Sequence, residues 1–276
     1  MRRRANALRD SVDAVNVTDS NRAVVAMAAL PAAVIVRDAG LDPIVQVTGR
    51  DRNRIALQAD LLGAAALGIE HFLFMSGDDP KAGNHPDAVN VKDLDGIGLV
   101  RMATKMRDEA KFLSGDDIKQ APQYLIGATA SPFTKPMEAD LTKTVEKIQA
   151  GAEFLQTQPV FDLATFSQWL VELRRLAKRK VWVLAGVLVL RSAEQAERLA
   201  KVPGVSLGSA AERLKKADDQ EEEGVHLAIE TVRSLRALPG VAGVHLYAIE
   251  WPEGVTRVVA GAGLLPRPRV KESKTA

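Results

Sequence analysis

Cysteine is absent from all 276 positions of this chain. Disulfides, thiolate metal sites and cysteine nucleophiles are therefore excluded, and the composition suits a reducing compartment, most simply the cytoplasm. Aromatic residues make up only 4%, too few to interleave stacking rings with a basic groove as single-strand binders do. Charge of one sign is also missing. The 37 basic residues are balanced by 35 acidic ones mixed along the whole length, and the basic ends at Arg2 to Arg4 and 267–274 read as solvated termini. Nucleic acid is not expected as a partner. Nor is a membrane: no apolar run approaches the roughly 18 to 20 residues that span a bilayer, and the basic start is not followed by the apolar segment of a secretory signal. The four histidines, His71, His85, His226 and His245, are far apart and show no metal-ligand spacing. His71 and His245 are expected to begin strands, at the end of the fold away from any chemistry.

What is present is a core-forming composition, 46% hydrophobic with 26% charged, large enough for one sizeable α/β domain. Short β-branched or apolar runs fall at 14–18, 43–48, 71–75, 124–128, 154–158, 181–189 and 243–249. Between them lie segments with helical spacing, such as RNRIALQADLLGAAALG, MEADLTKTVEKIQAGA and SAEQAERLAKV, so helix and strand alternate. Gly68 and Gly151 stand where a helix hands over to a strand and a left-handed cap is needed. Alternation of this kind implies parallel strands joined by right-handed crossovers. No linker divides the chain, so residues 1–276 read as a single domain with a flexible tail from about 267.

A doubly wound open sheet and a (β/α)8 barrel of TIM type both fit that alternation. The G-x-G-x-x-G turn of the dinucleotide-binding open sheet does not occur. Instead, polar residues end nearly every strand: Thr18 and Asp19, Thr48 to Asp51, Ser76 to Asp78, Ser131, Gln156 and Gln158, Tyr247 and Glu250. In a barrel these ends converge on one rim, where barrel enzymes place their chemistry. Some of them are expected to serve the fold first. Asp51 and Asp162 precede helical segments as N-caps, and Arg50, Arg52 and Arg54 are expected to pair at the surface with Asp51 and Asp60. Gln156 and Gln158, two apart in one strand, share a face, and an interior amide needs a partner.

The motifs VDAVNVTD, PIVQVTGRDRNRIALQADLLGAAALGI, SGDDP, GAEFLQTQPVFD, AGVLVL and GVAGVHLYAIEW resemble, in order and spacing, those of the methylenetetrahydrofolate reductase family over residues from about 8 to 268. The resemblance implies a (β/α)8 barrel that binds FAD and reduces 5,10-methylenetetrahydrofolate to 5-methyltetrahydrofolate with NADH or NADPH. It places Thr18, Gln46, Ser76, Gly77, Asp78, Ser131, Lys135, Asp140 and Lys147 at the cofactor, with Asp78 and Gln158 in catalytic roles and Gln158 and Tyr247 at the folate. By its position in the loop after SGDDP, His85 is expected to approach the cofactor. A homo-oligomer is expected.

The sequence departs from the family at its start. Relatives open with a strand whose glutamate is the proposed general acid for opening the five-membered folate ring, whereas this chain opens at MRRRANALRD, in the following helix. A first strand missing from the barrel leaves two unpaired sheet edges, explained by a start placed too far downstream or by a short form whose edge is covered. Weak folate reduction is the expectation, with Glu250 as the nearest substitute acid. Two other functions remain open: a flavin-free NAD(P)H-dependent folate reductase, and a non-catalytic subunit that binds a pterin or a partner.

Overall fold

The computed structural model describes residues 1–200 and 207–268. It opens with α1 (Arg2–Leu8) and β1 (Ala14–Val17), then α2 (Ala29–Asp38), β2 (Asp42–Thr48), α3 (Arg54–Ala66) and β3 (His71–Met75). Next come α4 (Gly96–Asp108), β4 (Leu125–Ala130), α5 (Met137–Gln149), β5 (Phe154–Pro159), α6 (Leu163–Ala177) and β6 (Trp182–Leu188). Three helices follow, α7 (Ala193–Leu199), α8 (Ala210–Lys216) and α9 (Gln220–Ala237), ahead of β7 (Val241–Tyr247) and α10 (Pro252–Gly261).

The strands form one parallel sheet in chain order β1 to β7. Alternation within each strand sorts the side chains. Val45, Val47, Phe72, Phe74, Ile126, Ala128, Val183 and Val187 pack outward into the main core beneath the helices, while residues of the opposite parity, Asn16, Gln46, Leu73, Thr129, Gln156 and His245 among them, face the concave side. The sheet is curled. In a flat sheet β1 and β5 would lie about 19 Å apart at the usual strand spacing, yet the Asn16 and Gln156 amides bond reciprocally at 2.7 and 3.1 Å. The result is a partial TIM barrel whose lumen is lined by the inward set. Gly68 and Gly151 both take positive φ at helix ends, as expected.

Among the described residues no strand pairs with the outer edge of β1 or of β7. Helices tie the two edges from outside: Arg4 of α1 pairs with Glu250 at 3.4 Å, the Ser11 hydroxyl meets that of Thr256 of α10 at 3.4 Å, and Arg267 pairs with Asp13. Arg267 is thus anchored, and the rest of the expected tail, 269–276, lies outside the described residues.

Candidate active site at the C-terminal rim

The charged cluster after β2 binds loops together. Asp19, just past β1, accepts the Thr48 amide and hydroxyl at 2.9 and 2.8 Å and pairs with Arg52, which also reaches Asp60 at 2.8 Å. Arg50 is 2% exposed. Its guanidinium donates to the Asp51 carboxylate at 2.7 and 2.6 Å and to the carbonyls of Ser20 and Asp19 at 3.2 and 3.4 Å. The bond to Arg50 lowers the Asp51 pKa, and the Arg50 pKa is raised in return. Arg50 is therefore an interior residue, contrary to the expected surface pair. Asp51 is not the cap of α3 either: a buried guanidinium needs a carboxylate and takes Asp51, leaving Asn53 to cap the helix by accepting the Ile55 and Ala56 amides. Arg54 turns instead to Asp93 at 2.7 Å. Asp162 does cap α6, accepting the Thr165 amide at 3.0 Å.

The loop after β3 lies against this cluster because Gly77 lets it. At φ +86 a side chain there would be strained, and its Cβ would stand 3.0 and 3.1 Å from the Cβ atoms of Thr48 and Arg50. Ser76 is exposed and its hydroxyl accepts the Gly96 amide at 3.2 Å. The exposed Asp78 carboxylate accepts the Arg22 amide at 2.9 Å. His85 is exposed further along the same loop.

At the ends of β4 and β5 the polar groups turn inward. Asp140 is 7% exposed and accepts from the Ser131 amide at 2.9 Å, the Trp169 indole at 2.9 Å and the Thr144 hydroxyl at 3.3 Å. It fixes the Ser131 turn. Lys147, half-buried on the same helical face, donates to the Thr129 carbonyl at 2.7 Å, and burial lowers its pKa. Lys135 is exposed.

Gln156 and Gln158 part company. Gln156 is buried and satisfied by Asn16, a partner that the sequence reading did not name; a lone amide at the centre of AVNVT was the available signal. Gln158 is exposed at the rim, within an irregularity in the β5–β6 register between Gln156 and Pro159. Tyr247 donates its hydroxyl to the Thr157 carbonyl at 3.0 Å. His245 does not begin its strand: it is the fifth residue of β7, opposite Gly186, half-buried on the lumen side with its ring 4.2 Å from that of Tyr247. Burial pushes its pKa down to about 4, so it is neutral at physiological pH. Glu250 is exposed and pairs with Arg4 across the seam.

One end of the lumen thus gathers Thr18, Gln46, Ser76, Asp78, Gln158 and Tyr247. Outside the sheet, a cavity lined by Leu173, Arg174, Lys180, Trp182 and Val241 lies between the end of α6 and the starts of β6 and β7, at the face where barrels carry stability rather than chemistry. Among the described residues no three His, Asp or Glu side chains are placed to hold a metal, and no helix is long and apolar enough to cross a membrane.

The family model for methylenetetrahydrofolate reductase matches residues 1–263. The chain belongs to that family. Similar curated proteins include a probable methylenetetrahydrofolate reductase (NADPH) of Caenorhabditis elegans, 24% identical across 82% of this chain and 33% of its own length. Methylenetetrahydrofolate reductase 1 of Schizosaccharomyces pombe is 25% identical across 84% of this chain and 37% of its own. The chain spans about a third of the length of these relatives. Among solved structures, a Clostridium thermocellum protein described as binding two copies of 5-methyl-5,6,7,8-tetrahydrofolic acid superposes with a TM-score of 0.56 at 15% identity, covering 83% of this chain and 74% of that one. A long-chain alkane monooxygenase gives the same TM-score at 11% identity, covering 98% and 85%. These likenesses establish the barrel-type fold of the family member described here.

Proposed function

We propose that this chain binds a reduced folate and a nicotinamide dinucleotide in turn at the C-terminal mouth of the lumen and, with FAD, reduces 5,10-methylenetetrahydrofolate to 5-methyltetrahydrofolate. The observation that carries this reading is the set Thr18, Gln46 and Gln158. Their polar side chains line one mouth and make no hydrogen bond among the described residues. A carboxamide both donates and accepts, which suits Gln158 to a pterin edge or a nicotinamide amide. The relatives' names and the folate-binding neighbour support a folate ligand.

The rim also fits a flavin dinucleotide. Lys147 keeps two N–H donors beyond the one given to Thr129, the Ser131 turn is held open by Asp140, and Lys135 is free to reach a phosphate. FAD, when bound, supplies the two-electron relay between the nicotinamide and the methylene carbon. The protein's part is orientation: Thr18 and Gln46 fix a ring at the mouth, Asp78 places an anion beside it, and Leu73 and Phe154, both buried, exclude water from below. Among the described strand residues of inward parity the one carboxylic acid is Asp42, exposed at the start of β2 and so at the end opposite the rim; none of those at the rim is placed as the general acid for ring opening, a role worth about 10² to 10⁴-fold.

A flavin-free transfer from nicotinamide to folate is favoured by one observation: both Asp140 oxygens are already bonded within the protein. The visible spectrum of the purified protein with added FAD, before and after anaerobic NADH, tests the two. A band near roughly 450 nm that bleaches supports the flavin reading. A colourless protein that still binds 5-methyltetrahydrofolate by calorimetry supports the flavin-free one, and absence of folate binding overturns both.

A further inference from the structure

β5 does not run straight to its end. It pairs with β6 at Gln156↔Leu184 and then at Pro159↔Gly186, three steps on one strand against two on the other, the count of a β-bulge. The extra residue lies in the pair Thr157 and Gln158. Thr157 is fully buried and Gln158 is exposed.

Three neighbours hold the bulge. The Thr157 hydroxyl donates to the Gln158 carbonyl at 2.9 Å and accepts the Gly186 amide at 2.9 Å. Gly186 also accepts the Val160 amide at 2.8 Å through its carbonyl. It has to be glycine: a Cβ there would lie 2.5 Å from the Thr157 carbonyl oxygen and 2.7 Å from that of Gln158. Across this bare stretch of β6 the Tyr247 hydroxyl reaches from β7 to the Thr157 carbonyl, two strands away, at 3.0 Å. Its ring is set by the edge-on contact with His245.

We propose that Tyr247, acting through Thr157 over Gly186, is a positioning residue that fixes the bulge and so aims Gln158 at the ligand. Gln158 makes no side-chain hydrogen bond among the described residues, so its direction is set by backbone alone. The proposal rests on the reading that Gln158 meets the folate or nicotinamide. It gives Tyr247, Thr157 and Gly186 one shared task.

The test is a double-mutant cycle read by calorimetric binding of 5-methyltetrahydrofolate and by the separate kcat and KM of folate-dependent NADH oxidation. Gln158→Ala is expected to weaken folate binding about tenfold, the worth of one good hydrogen bond, and Tyr247→Phe about threefold to fivefold in the same parameter. The double variant is expected to be no worse than Gln158→Ala. Thr157→Ser, which keeps the hydroxyl, should bind as the parent does, and Thr157→Val should resemble Tyr247→Phe. Multiplying losses in the double variant would mean that Tyr247 acts independently and overturn the proposal. A Gln158→Ala protein that binds folate normally would remove the reading on which the proposal rests, and the proposal with it.

Discussion

Along the rim from β1 to β4, carboxylates and guanidiniums bond to one another and to backbone: Asp19 to Thr48 and Arg52, Arg50 to Asp51 and two carbonyls, Asp140 to Ser131, Thr144 and Trp169. From β5 to β7 the polar groups on the lumen side are Gln158, Tyr247 and the neutral His245, while the charges that follow these strands, Asp162, Arg191 and Glu250, cap a helix or pair with Glu221 and Arg4. The first half spends its charges on loop geometry. The second leaves amide and ring surface for something else to meet. A charged rim residue in a barrel is therefore weak evidence of a ligand until its partners are counted, whereas an exposed amide aimed by a braced backbone is stronger evidence.

The contrast is easiest to break at Asp140. Asp140→Ala leaves an amide, a hydroxyl and an indole N–H unpaired in the interior, and unfolding free energy from urea titration should fall by about 3 to 5 kcal/mol. Retention of full stability would show that the carboxylate was held for a ligand. Arg50→Met removes a buried guanidinium whose partner Asp51 stays half exposed and should cost about 1 to 2 kcal/mol, the range of its lost hydrogen bonds. Because the Asp51 pKa is lowered in the folded state, that pairing stabilises above the ordinary carboxylate pKa and is lost as pH falls through the folded value. The gap between parent and Arg50→Met should therefore narrow in titrations below about pH 4.

Smaller effects sharpen the comparison on the uncharged side. Asn16→Ala strands the buried Gln156 amide and Gln156→Ala the half-buried Asn16 amide, so the double variant should be less destabilised than the sum, by a coupling of about 1 kcal/mol in denaturant melts. His245 is neutral when folded, with its pKa pushed down to about 4, and charges more readily unfolded. Stability should hold above about pH 6.5 and decline by about 1 to 2 kcal/mol towards pH 4, a slope that His245→Gln should lack. Least of all, Thr18→Val should shift stability by under about 0.5 kcal/mol, as exposed sites do; a large loss would place Thr18 with the structural half.

Strand positions were legible because buried parallel strands are short apolar runs that need no alternation. The run at 71–75 and β3 coincide, and that at 14–18 exceeds β1 by one residue. The rim residues followed from strand ends and from motif order. What stayed hidden depends on distant or subtle geometry. Asn16 and Gln156 are 140 residues apart. Among Asp51 and Asn53, two good caps in RDRNR, the choice was made by a buried Arg50 that local sequence cannot reveal as buried. His245 was misplaced because β7 begins at Val241, two residues before the run that marked it. The β5 bulge carries no local signature, since it is stabilised from β6 and β7. SAEQAERLAKV marked α7, whereas α8 and α9 after it were not named from periodicity.

The chord between Asn16 and Gln156 has a dynamic consequence. Among the described residues β1 is a four-residue strand with one hydrogen-bonded neighbour, and such a strand belongs, by position, to the part of a protein that opens first and exchanges its amide protons soonest. Here that strand is also fastened across the hollow of the sheet to β5, which has neighbours on both sides. Its opening is tied to the disruption of an interior strand, so the end of the sheet should exchange on the slow timescale of its middle.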